Sequence, residues 1–320
     1  MVKSSGPWRG EAGQYLTGSL NFTENTMRSA APGMLLASGI IQYLGASIAV
    51  ALFAAATVSA VAWGRVAVGA LVMMAWRRPA IKARQLWVPA VYGLALVTMN
   101  MLFYQAIARI PLGTAVALEF LGPVILAAVT GRGWRIWGGI IFALTGVFMI
   151  SWVGVDLRAP GVAMGVACAV AAGIAWAVYM WLASKAARAG TGPDSLAIGM
   201  AIGTLAYAWV AIPTFGVILS DLKLLGLIVA VGLFSSVVPY VLEVLIVSKI
   251  PAGNFALLNA LYPATSLVVG MILLRQIPTL GELGGLLLIS VAVVLVSLRP
   301  RGKRGVSGRE LGRRGSGVQL

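Results

Sequence analysis

Histidine is absent from this chain of 320 residues. That gap alone removes histidine-ligated metals, Ser/His and Cys/His nucleophile pairs, and imidazole proton relays. Cysteine occurs once, as Cys168 inside an apolar run, so no intramolecular disulfide can form and nothing indicates an oxidising compartment. Acids are scarce, nine against 24 Lys and Arg, and all charged residues together make up only 10% of the chain. With no recognisable metal-ligand cluster or nucleophile motif, neither an enzymatic role nor a cofactor is expected.

What is present is apolar: 60% of the residues are hydrophobic, and the mean hydropathy is +0.94. A soluble domain of this size has no interior large enough for that much apolar surface, so lipid must be the solvent. After residues 1–32, a polar stretch read as a disordered cytoplasmic extension in which Met27 offers an alternative start, apolar runs of spanning length follow one another. Met34, just inside the first run, is another candidate start. The runs predict helices at about 33–53, 57–76, 86–107, 113–130, 135–153, 160–183, 195–218, 224–248, 252–274 and 281–298. The expected fold class is an all-α polytopic membrane protein with ten transmembrane helices.

A cytoplasmic N-terminus places 19 Lys and Arg on the inner side and four, Arg109, Arg158, Lys223 and Arg275, on the outer side, with Arg65 left within a helix. Both termini are therefore expected in the cytoplasm. Trp76, Trp87, Trp134, Trp137 and Trp181 fall at predicted inner helix ends, where indole rings favour the interface. The net charge of +15 resides in these short connections and in the tail 299–320, which predicts a solvated arm drawn to anionic headgroups and no nucleic-acid partner.

The chain also repeats. A shift of 140 residues lays Ile110-Pro111-Leu112-Gly113 on Ile250-Pro251-Ala252-Gly253, Glu119 on Asn259 and Pro123 on Pro263. Further on, Gly138-Gly139 finds its counterpart in Gly284-Gly285. Two five-helix units, 33–153 and 160–298, follow from this, and an odd number of crossings inverts one against the other. Inverted repeats characterise transporters, whose sites lie near the midplane at the repeat interface beside broken helices.

The polar residues inside the apolar runs are the site candidates. Glu119 is a carboxylate within a membrane helix, which costs roughly 2.5–3.5 kcal/mol on insertion scales and marks a functional candidate. Pro123, four residues on, cannot donate to the Glu119 carbonyl, so one helix level offers two acceptors suited to a cation, a proton or an ammonium group. Pairing of Glu119 with an arginine on a neighbouring helix, the proline being only a kink, is the structural alternative. Pro239 and Pro263 are the other expected helix breaks, and Pro263 stands to Asn259 as Pro123 does to Glu119. Asn100 and Tyr104 share a face of the third helix; Ser236, Tyr240 and a second acid, Glu243, share one on the eighth; Phe255, Asn259, Tyr262 and Ser266 share one on the ninth. Helices three, four, eight and nine can thus enclose one cavity. Hydrogen bonds that merely hold helices together, at about 0.6 kcal/mol each, explain the Asn and Tyr residues equally well. Arg65, alone inside a helix, needs a partner: Glu119, Glu243 or a substrate carboxylate. The Gly161/Gly165 and Gly199/Gly203 spacings are explained by close helix packing.

At Met99-Asn-Met-Leu-Phe-Tyr104, Ile110 to Pro123 and Ser235-Ser-Val-Val-Pro-Tyr-Val-Leu-Glu243, over about residues 33–298, the chain resembles the drug/metabolite transporter superfamily with two EamA-type repeats, and within it the threonine/homoserine exporter branch. The resemblance implies ten helices, cytoplasmic termini, a bacterial inner-membrane location and export of small neutral amino acids by alternating access driven by the proton gradient. Glu119 would bind the substrate ammonium or the exchanged proton, Glu243 would be a second titrating site, and Asn100, Tyr104, Tyr240 and Asn259 would supply polar contacts. Two departures stand out: Tyr262 occupies a position just before the second-half proline where the branch usually has an acid, and Arg275-Gln276 stands where a Gly-Glu pair is usual. An exporter of drugs or other metabolites, with Phe103, Phe255 and Tyr262 lining a permissive pocket, is the alternative, and a membrane scaffold or channel the remote one.

Overall fold

The computed structural model describes residues 33–80, 86–130, 133–150, 156–188, 191–239, 242 and 262–297. Tyr240, Glu243, Phe255 and Asn259 lie outside the described residues, as do the N-terminal extension and the basic tail.

The described elements are helical. α1 (Gly33–Leu52), α2 (Val58–Arg77) and α3 (Trp87–Ile107) each follow a run long enough to cross a bilayer. The Thr57 hydroxyl accepts the Ala60 N–H at the start of α2, and Arg78 ends that helix in the left-handed region. α4 (Leu112–Glu119) and α5 (Leu121–Thr130) replace the single expected helix 113–130. The break falls at Phe120, between Glu119 and the proline that cannot donate to it, so the chain cannot continue regular α pairing there. α6 (Trp134–Phe148) and α7 (Val162–Arg188) follow.

The expected helix 195–218 is likewise divided. α8 (Gly192–Ala206) passes through a 3-10 turn, Ala208–Ala211, into α9 (Ile212–Ser220), with a bend of 55°. Pro213, at the second position of α9, removes the N–H that would pair with the Trp209 carbonyl, and the tighter turn absorbs the mismatch. α10 (Leu222–Gly232), capped by the Asp221 carboxylate on the Lys223 and Leu224 N–H groups, widens into a π-helical turn, Leu233–Val237. α11 (Tyr262–Leu273) and α12 (Leu280–Ser297) complete the chain.

Among the described residues four helices are long and apolar enough to cross a membrane: α1, α2, α3 and α7. The bent pair α8 and α9 makes a fifth if it is one span, and five shorter apolar helices accompany them. Leu71, Ile141, Leu205, Ile212 and Ile272 are exposed, as are all five tryptophans expected at the interface. Three of these tryptophans lie against cations, with the Lys185 ammonium 3.4 Å from the Trp181 ring centre and the Arg77 and Arg135 guanidiniums over their neighbouring indoles.

α3 is central, packed between α7 and α8. Its contact with α8 is backbone on backbone. A Cβ placed on Gly199 would lie 2.7 Å from the Pro89 carbonyl oxygen, and one on Gly203 the same distance from that of Gly93. The Gly199/Gly203 spacing therefore does what the sequence suggests. At the α3–α4 connection Gly165 packs tightly against the Arg109 and Ile110 side chains, a Cβ there falling 2.9 Å from each, whereas Gly161 meets Arg109 only at an ordinary 3.7 Å.

Candidate functional site

The break between α4 and α5 opens onto a cavity of about 90 Å³. Glu119, the last residue of α4, lines it together with Phe120. α1 contributes Gln42 and Tyr43, α2 contributes Arg65, α3 contributes Met99, Asn100 and Phe103, α7 contributes Trp176 and Tyr179, and α11 contributes Tyr262. The walls are aromatic and interlocked. Phe120 meets Trp176 edge-on at 4.8 Å and Tyr262 at 6.1 Å, Tyr43 meets Tyr262 at 6.2 Å, and Tyr179 stacks on Tyr92 at 4.9 Å. Such pairs contribute about 0.5–1.5 kcal/mol each beyond their buried area, so the apolar part of the cavity is stiff.

Its polar part is sparse and of both signs. Arg65 is 4% exposed; its Nε donates to the Ser236 hydroxyl at 2.9 Å and its Nη2 to the Ser235 carbonyl at 2.6 Å. The Tyr104 ring covers one face of this guanidinium, 5.4 Å from the ring centre. Glu119 is half-buried and feels the Arg65 charge, yet no hydrogen-bond donor reaches its carboxylate among the described residues. A buried carboxylate normally holds several donors, so this one is poised for a donor that arrives from the cavity. Asn100 is buried and gives one N–H to the Leu96 carbonyl at 2.8 Å; among the described residues its amide oxygen and second N–H have no partner.

Of the residues singled out in the sequence, Arg65, Asn100 and Glu119 are thus brought to one cavity, and Phe103 and Tyr262 join them. Tyr104 lies beneath Arg65, fully buried, its hydroxyl without a partner among the described residues. Ser236 holds Arg65, while Pro239 is buried just beyond the π turn. Pro263 is the second residue of α11, its carbonyl accepting from the Ser266 hydroxyl at 2.8 Å. Pro123 falls on the third position of α5. Tyr240, Glu243 and Asn259 cannot be placed, being outside the described residues.

Helices α1, α2 and α7 also line the cavity, so helices three, four, eight and nine alone do not enclose it. Gln42, Tyr43, Trp176 and Tyr179 are the residues that sequence reasoning passes over. Signals for them exist: Ser38 and Gln42 are four apart on α1, and Trp176 and Tyr179 three apart on α7, so each pair shares a face. The Tyr262 hydroxyl, standing where the branch usually has an acid, donates to the Ser38 hydroxyl at 3.4 Å.

A third acid, Glu282, is buried at a different place. A Gly-Glu pair, Gly281–Glu282, does open the last helix, in addition to Arg275-Gln276 before it. Glu282 forms a capping box with Thr279: its Oε2 accepts the Thr279 N–H at 2.8 Å, and its own N–H donates to Thr279 Oγ1 at 3.2 Å. Its Oε1 accepts from the Thr114 hydroxyl, and nearby the Gln276 Oε1 accepts the Leu112 N–H at 2.9 Å. The start of α4, whose other end carries Glu119, is therefore fastened to the α11–α12 connection. Glu282 already has its donors and serves as an anchor. Glu282→Ala is expected to cost about 1–3 kcal/mol of stability, read as a lowered thermal midpoint in detergent, with the cavity side chains intact. An unchanged midpoint would remove the anchor role.

Residues 163–298 match the EamA-like transporter family. The threonine/homoserine exporter RhtA of Salmonella typhimurium strain LT2 is 35% identical over 248 residues, 76% of this chain and 82% of that protein. That of Escherichia coli strain K12 is 34% identical over 270 residues, 82% of this chain and 90% of that one. A chain of known crystal structure shares the fold at a TM-score of 0.51 and 19% identity, covering 83% of this chain and 97% of its own.

Proposed function

From the premise that the chain belongs to the EamA-like transporter family, alongside the threonine/homoserine exporters, we propose that it exports small neutral amino acids of the threonine and homoserine kind across the bacterial inner membrane. The observation that carries the substrate class is the presence of Glu119 and Arg65 in one largely aromatic cavity. A free amino acid is a zwitterion. A carboxylate with no donor among the described residues suits its ammonium group, and a planar guanidinium that gives two of its five N–H donors to Ser235 and Ser236 suits its carboxylate. Asn100 offers an amide to a side-chain hydroxyl, and the aromatic walls exclude the water that would weaken both charge contacts. Glu243, Tyr240 and Asn259 complete the set on the second repeat, with Glu243 as a second proton-binding acid.

The topology proposed is ten crossings in two inverted five-helix units, 33–153 and 160–298, with both termini cytoplasmic and the basic tail 299–320 lying on anionic headgroups. Support comes from what lies side by side. Arg77 at the end of α2 pairs with Asp194 at the start of α8 at 2.9 Å, and both are expected on the inner face. Arg109 packs against Gly161, and both are expected on the outer face. Alternating access about the α4–α5 break then carries the substrate outward in exchange for protons.

The test is efflux of a panel of radiolabelled amino acids from right-side-out and inverted vesicles, with and without an imposed pH gradient. Gradient-dependent movement of threonine or homoserine is expected. Because Phe103, Phe120, Trp176 and Tyr262 dominate the walls, broad export of aromatic or drug-like compounds is the second reading. Movement of these with no amino acid transported, in a correctly inserted protein, would replace the first reading by the second.

A further inference from the structure

In an α-helix the carbonyl of residue i receives the N–H of residue i+4. For Ser235 that residue is Pro239, which has no N–H to give. The helix responds by widening: Leu233–Val237 is π-helical, and the Val238 N–H reaches back to the Leu233 carbonyl. Widened turns of this kind are frequent at functional positions. The Ser235 carbonyl, deprived of its regular donor, is the group that receives Arg65 Nη2 at 2.6 Å, and the next residue, Ser236, receives Nε at 2.9 Å. Two adjacent acceptors on two different nitrogens of a rigid fork fix its plane, and the Tyr104 ring fixes its face.

We infer that Pro239 is a positioning residue for Arg65: by withholding an N–H from Ser235 it presents a backbone acceptor that holds the guanidinium in the plane from which it reads a substrate carboxylate. The π turn also reaches α1, through the Ser235 hydroxyl donated to the Gln42 carbonyl at 3.2 Å, so the same device ties together two helices that line the cavity. The sequence pattern Ser235-Ser236-Val-Val-Pro239 carries the whole arrangement: two acceptors followed at the right distance by the residue that opens the turn.

This inference rests on the reading of Arg65 as the carboxylate's partner, and the experiment separates the two. Competition by threonine and by threoninol, the same amino alcohol lacking the carboxylate, is measured against labelled substrate in proteoliposomes for the wild type, Arg65→Gln, Pro239→Ala and Ser236→Ala. The wild type is expected to prefer threonine at least about tenfold. Arg65→Gln abolishes the preference. Pro239→Ala restores an N–H that closes the turn onto the Ser235 carbonyl, and it lowers the preference at least about fivefold; Ser236→Ala, which leaves the backbone alone, lowers it in the same direction by less. A ratio of two affinities is insensitive to how much protein is folded, so a purely structural kink would not move it. If Arg65→Gln loses the preference while Pro239→Ala and Ser236→Ala keep it, the positioning role is overturned and the carboxylate reading stands. Should Arg65→Gln keep the preference, the carboxylate reading fails and the positioning role with it. Where Pro239→Ala does not insert, Pro239→Gly, which restores the same N–H, is read in its place.

Discussion

Glu119→Gln is expected to slow threonine or homoserine export roughly 10–150-fold, the equivalent of the about 1.5–3 kcal/mol that a hydrogen bond to a charged group contributes. Glutamine keeps the shape of the side chain and its capacity to accept a hydrogen bond. It loses the negative charge and the ability to carry a proton. Acceleration by an imposed pH gradient should therefore disappear as well. The same substitution should leave the thermal midpoint unchanged or raise it, because a half-buried carboxylate with no donor among the described residues is a liability to the fold. That opposition of signs distinguishes a site from a structural ion pair. Breaking a buried pair would cost about 3–5 kcal/mol and lower the midpoint. Wild-type transport and coupling in Glu119→Gln would remove this residue from the centre of the mechanism.

What was legible in the sequence is what local chemistry dictates. A carboxylate in an apolar run and a proline four residues later have consequences that need no knowledge of neighbours, and the chain breaks between them, at Phe120. Ser235, Ser236 and Pro239 are visible in the same way, although only the structure shows Arg65, about 170 residues away in sequence, as the occupant of the freed carbonyl. The aromatic wall is different in kind. Tyr43, Trp176 and Tyr179 sit on largely apolar helices whose few polar side chains share a face without saying what that face meets; the packing of α7 against α3 and the α4–α5 break, and of Tyr43 on Tyr262, turns them inward. Two signals were present but are overridden by hydropathy. Pro213 divides an apolar run that reads as one helix, and Thr279-Leu-Gly-Glu282 is a capping-box pattern that places an acid in the first turn of a helix. The expected second half of the site, Tyr240, Glu243 and Asn259, lies outside the described residues, so the pseudo-symmetric counterpart of Glu119 stands as part of the proposal.

Gly173→Ala is the second large expected effect, and its cause is distance. A Cβ on Gly173 would lie 2.8 Å from the Glu119 carbonyl oxygen and 3.3 Å from that of Leu118. Both are backbone atoms at the end of α4, with no flexible side chain to yield. The reciprocal contact is as close, a Cβ on Gly122 falling 2.7 Å from the Gly173 carbonyl oxygen. α7 therefore crosses the α4–α5 break at backbone contact, and it does so one turn before Trp176 packs on Phe120 at 4.8 Å. An added methyl must push α7 away by about half an ångström to restore ordinary contact, which overpacking data put at about 1–3 kcal/mol. The displacement falls on Glu119, Phe120, Trp176 and Tyr179 together, so transport should fall along with the thermal midpoint. Gly226→Ala in α10 is the control. Nothing lies within 4 Å of a Cβ there, and the better helix propensity of alanine should make that change neutral or stabilising by up to about 1 kcal/mol. If Gly173→Ala were as benign as Gly226→Ala, α7 would not approach the Glu119 carbonyl this closely, and the cavity built from that crossing would have to be drawn differently.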